Sequence, residues 1–77
     1  HRAPAILLDR HTYAALERTR YEHANANYFR AVRNSDTNRN PVIKEHLHES
    51  TVQASNELRL AKEALDAKES EWDELQY

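Results

Sequence analysis

The sequence predicts an all-α chain, an antiparallel two-helix hairpin or coiled-coil finger that completes a helical bundle by dimerisation or by binding a partner. Three observations predict it. The chain has no glycine and two prolines, so it has few places to turn. Its one cluster of turn-forming residues, Asn34-Ser35-Asp36-Thr37-Asn38-Arg39-Asn40-Pro41, lies near the middle. A heptad pattern of apolar residues then runs through the second half for more than four repeats.

The first helix is expected over about 5–33. Pro4 suits its first turn, and Asp9 or Thr12 are alternative caps. Leu7, Ala14, Tyr21 and Tyr28 recur at seven-residue steps, and Ala24 and Ala31 follow the two tyrosines by three. Glu17 interrupts this stripe, and Leu16 is expected to cover for it. The turn is expected over 34–40. Asn34 would end the first helix in the left-handed conformation that asparagine tolerates. Asn40-Pro41 would start the second, Asn accepting from the unpaired N–H groups and Pro fitting the first helical position.

The second helix is expected over about 41–76. One core position holds Lys44, Thr51, Leu58, Leu65 and Trp72, and the other holds Leu47, Ala54, Ala61, Lys68 and Leu75. A short connection favours antiparallel neighbours. Folding the chain at residue 37 or 38 pairs Tyr28 with Leu47, Tyr21 with Ala54 and Ala24 with Thr51. The same fold sets Arg30 by Glu45, Arg18 by Glu57, Glu17 by Arg59 and Arg10 by Asp66. The predicted seam is therefore Tyr21, Ala24, Tyr28, Leu47, Thr51, Ala54, Leu58, Ala61 and Leu65.

One seam does not use all the large apolar residues. Ile6, Phe29, Val32, Val42, Ile43, Val52 and Leu60 are left over, and covering a Leu- or Phe-sized side chain is worth about 1.5–3 kcal/mol. Phe29, Val32, Ile43 and Leu60, with Trp72 and Leu75 at the far end, form the expected partner interface. Trp72 lies beyond the expected reach of the first helix, which suits a contact anchor; the alternative is an indole packed on Ile6 or Pro4. Acidic residues crowd the last two turns of the second helix, against the helix macrodipole, so the expectation is either that the helix continues past Tyr77 or that a basic partner covers this end.

Composition bounds the function. The 77 residues make a single module. Without methionine, even at position 1, the chain reads as a piece of a longer protein. Isoleucine, leucine, valine and phenylalanine together make only 14 residues, a thin core. Net charge is −2, but residues 1–44 are basic and residues 45–77 acidic. Two halves of opposite sign suit helices facing each other or their copies, and argue against one continuous nucleic-acid face. No apolar run is long enough to span a membrane. The lack of cysteine and of a secretory signal favours an intracellular setting.

Chemistry finds little footing. Glu45-x-x-His48 is the ligand pair of helical di-metal sites, but such sites need it twice with two more glutamates. Without glycine there is no phosphate-cradling loop. No catalytic group, metal or cofactor is expected. Arg33, Arg39 and Lys44 make a small basic turn, whose alternative use is contact with RNA or an acidic membrane.

In length, polar turn and heptads the chain resembles the Rho-binding HR1 domains and the tRNA-binding arm of seryl-tRNA synthetases. The first resemblance implies a finger that binds a small GTPase. The residues themselves favour a non-catalytic protein–protein interaction or assembly module, an adaptor or structural element acting as a homodimer or in a hetero-complex.

Overall fold

The structure, a computed structural model, describes residues 8–76. It is all-helical, with α1 at Arg10–Tyr13, α2 at Ala15–Thr37 and α3 at Pro41–Leu75. No strand occurs among the described residues. The body is elongated, 62 × 14 × 12 Å. Pro4, Ile6 and Leu7 lie outside the described residues.

Among the described residues the first helix begins at Arg10. Asp9 is extended and its carboxylate accepts from the Thr12 backbone N–H at 2.7 Å, which satisfies an otherwise unpaired donor of α1. At Ala14 the backbone leaves helical geometry, with φ −102° and ψ 20°. The ladder resumes at once, Arg18 N–H donating to the Ala14 carbonyl at 2.8 Å. Ala14 is wholly buried, where a larger side chain would push the helices apart.

Helix α2 runs to Thr37, four residues beyond the expected end, so the turn is residues 38–40. Two local features mark the observed end. The Thr37 hydroxyl donates back to the Arg33 carbonyl at 3.0 Å. Asn34 does not turn left-handed; no non-glycine residue among those described has positive φ. The chain instead leaves the helix at Asn38 in extended conformation. Asn38 Oδ1 accepts from Asn40 N–H at 2.9 Å, and Asn40 Oδ1 accepts from Val42 N–H at 3.0 Å. Pro41 follows at the first helical position, where its missing N–H costs nothing.

Both α1 and α2 pack on α3. The buried apolar set is small: Ala14, Ala54 at 9% exposed and Leu65 at 5%. Tyr21, Ala24, Tyr28, Leu47, Thr51, Leu58 and Ala61 are half-buried beside them. The Thr51 hydroxyl lies 3.4 Å from the Ala31 carbonyl and 2.8 Å from that of Leu47. Near the other end, Arg10 meets Asp73 at 3.2 Å, and Tyr13 Oη donates to Glu71 at 2.5 Å.

These contacts correct the expected register by one heptad. Thr51 meets Ala31, seven residues past Ala24. The expected pairs Arg10–Asp66, Arg18–Glu57, Glu17–Arg59 and Arg30–Glu45 do not form; Arg10 and Arg18 reach Glu69 and Asp73 instead. A seven-residue slip leaves every side chain on the same face. The repeat pattern therefore accepts both registers, and the shorter, later turn selects between them. Leu16 also departs from expectation: it is 58% exposed, and Glu17 takes the half-buried position.

Candidate interaction surface

Three regions of the surface carry the residues of interest: the seam end near Trp72, the exposed apolar residues, and the turn. The end near Trp72 is the most connected. Arg18 reaches Glu69 at 3.1 Å in a partly buried pair, and Arg10 lies 3.7 Å from the same carboxylate. Lys68 stands 4.6 Å above the Tyr13 ring. The indole N–H of Trp72 donates to the Leu8 carbonyl at 2.8 Å. Burial is incomplete here, and Arg18 Nε is left without a hydrogen-bond partner.

This cluster revises two expectations. Trp72 is not beyond the reach of the first half of the chain: its indole meets Leu8 and the residue is half-buried, as Leu75 also is. The basic cover for the acidic end of α3 comes from the chain itself, through Arg10 and Arg18. The sequence points to a partner for these charges, and the heptad offset hides the arginines within the chain that meet them.

Hydrogen bonds set the titrations. Tyr13 is raised above the ordinary tyrosine value of 10.0, first because its hydroxyl donates to Glu71, then by desolvation and the carboxylate's charge. Asp9 is lowered by its bonds to Thr12. Lys62 is raised by its bond to Asp66. Among the described residues no three His, Asp or Glu side chains come together as a metal site, and Glu45, His48 and Glu49 are all exposed.

The exposed large apolar residues are Leu8, Leu16, Phe29, Val42, Ile43, Val52 and Leu60. Phe29 is 56% exposed although its ring stacks edge-on against Tyr28 at 5.7 Å. Val32 is half-buried beside the seam, Ile43 is 45% exposed and Leu60 is 55% exposed. At the turn, Arg33, Arg39 and Lys44 are exposed and form no ion pair among the described residues. No described helix is long and apolar enough to cross a membrane.

Two cross-helix contacts sort the outer residues onto two faces. Arg18–Glu69 marks one side of the seam, and Tyr13–Glu71 marks the other. Steps of three and four residues from Arg18 and Glu69 lead to Phe29, Val32 and Val52. The same steps from Tyr13 and Glu71 lead to Leu16, Leu60, Ala64 and Ala67. The exposed apolar residues thus lie on opposite broad faces of a thin body.

Comparisons with protein-family models, with curated proteins and with solved structures find no match for this chain.

Proposed function

We propose that this chain is a non-catalytic assembly module, an antiparallel two-helix finger that binds other helices and completes a bundle with them. The observation that carries the reading is the mismatch between its core and its surface. Among the described residues three small or medium ones are buried, while seven large apolar ones stand outside. Covering each of the latter is worth about 1.5–3 kcal/mol, against a core too thin to hold a short chain firmly. Helix faces of this kind are satisfied by more helices, packed at interaxial distances of about 8–10 Å.

The polar outer residues support the same role. The ion pairs Arg59–Glu63 and Lys62–Asp66 run along α3, each 3.2 Å or less. They support a long solvated helix rather than a reactive cleft. Sedimentation equilibrium across micromolar concentrations, with affinity capture from its native source, tests the proposal. It predicts association with itself or with a helical protein. A monomer at tens of micromolar that captures nothing contradicts it.

A further inference from the structure

We propose that the face bearing Leu16 and Leu60 binds a second copy of the chain, in parallel, so that the two turns lie side by side. This presupposes the assembly role proposed above and names its partner. The argument begins with charge. On this face α2 contributes Arg20, His23 and Arg30 and no acid. Beside it, α3 contributes Glu57, Glu71 and Glu74 and no lysine or arginine. Each helix thus presents a rail of one sign. Among the described residues Arg20, Arg30, Glu57 and Glu74 make no ion pair within the chain.

Two rotations can lay one such face on another. A two-fold axis along the body sets α2 of each copy over α3 of the other, so that Arg20 and Arg30 flank Glu57 of the other copy, twice. A two-fold axis across the body sets α2 on α2, basic on basic. Like charges brought together in an interface oppose the second arrangement. Both arrangements make neighbouring helices antiparallel, as in up-down-up-down four-helix bundles, so charge is what separates them.

Height along the axis agrees. Counting equally from the Ala31–Thr51 contact, Leu16 comes level with Asp66, between Ala64 and Ala67. In the parallel arrangement Leu16 therefore faces the small side chains of Ala64 and Ala67 on the second copy, a projection over a recess. By the same count Glu57 of the second copy stands midway between Arg20 and Arg30, roughly 7.5 Å of helix rise from each. Extended arginine side chains span that distance, and His23 lies between them. The face measures 62 × 14 Å, so pairing two would cover roughly 1,700 Å² in all, the size of an ordinary stable interface.

The experiment combines mass with distance. A spin label on Arg39→Cys, in a chain with no other cysteine, marks the turn. Sedimentation should give a dimer, and dipolar spectroscopy a label separation within about 25 Å. Arg20→Glu with Arg30→Glu should weaken dimerisation about tenfold or more, and adding Glu57→Arg should recover it. Circular dichroism should be unchanged, since these side chains are exposed. A dimer with labels near the full 62 Å length overturns the parallel pairing and leaves the assembly role standing. A monomer that captures another helical protein overturns the second copy alone. A monomer that captures nothing overturns both.

Discussion

Trp72 donates its indole N–H to the carbonyl oxygen of Leu8, 64 positions earlier in the chain, at 2.8 Å. The bond fastens the start of the chain to the last turns of α3, next to the Arg10–Asp73 pair. Replacing Trp72 with Phe keeps an aromatic ring and removes the donor. The expected cost is about 0.5–1.5 kcal/mol for the lost bond. Chemical denaturation followed by circular dichroism measures it. An unchanged midpoint would mean that the bond contributes nothing to closure of this end.

Burial separates two leucines of the same helix. Leu65 is 5% exposed and Leu60 is 55% exposed. Leu65→Ala should cost about 2–5 kcal/mol through lost contacts and the cavity left behind. Leu60→Ala should change monomer stability by about 0.5 kcal/mol or less, as exposed substitutions do. Urea unfolding at low concentration, where association is absent, makes the comparison. Equal losses would mean that Leu60 is buried in the monomer.

Ala14 tests the opposite kind of change. It is wholly buried where α1 gives way to α2. Ala14→Leu should destabilise by about 1–3 kcal/mol through overpacking. It should also loosen the Tyr13–Glu71 contact next to it, seen as a fall of the Tyr13 titration toward its ordinary value. A stabilised variant would show that the site holds spare volume.

Alkaline pH should release the same end. Tyr13 is raised above 10.0 because its protonated hydroxyl donates to Glu71. A raised folded value gives stability that is full below the unfolded tyrosine's titration. That stability is lost as pH rises through the folded value. Thermal midpoints should therefore fall more steeply above about pH 10 in the native chain than in Tyr13→Phe. Parallel curves for the two proteins would remove Tyr13 from the packing of α1.

Much of the fold was legible because its causes are local. Asn40-Pro41 is a cap and first turn that act within four residues. The heptad places Ala54, Leu58 and Leu65 on the inner side of α3 whatever α2 does. Register was not legible, because a slip of seven residues keeps Tyr21, Ala24 and Tyr28 facing the seam. Its determinant is the length of the turn, and polar residues 34–37 join α2 with no breaker among them to mark where it ends. The two outer faces were equally hidden. Phe29 with Val52, and Leu16 with Leu60, belong together only once Arg18–Glu69 and Tyr13–Glu71 fix which flank is which.

The proposed antiparallel finger, in the register of the Ala31–Thr51 contact, underlies every proposal above. Paired cysteines test it most directly. A disulfide requires Cα atoms within about 7 Å. Ala31→Cys with Thr51→Cys meets that need, since the Thr51 hydroxyl already touches the Ala31 carbonyl. Ala24→Cys with Thr51→Cys is displaced by one heptad, roughly 10 Å of helix rise. Mild oxidation followed by mass measurement without reductant should show the first pair closed within a single chain and the second open. Closure of the second pair alone, or closure of the first only between two chains, would contradict the account.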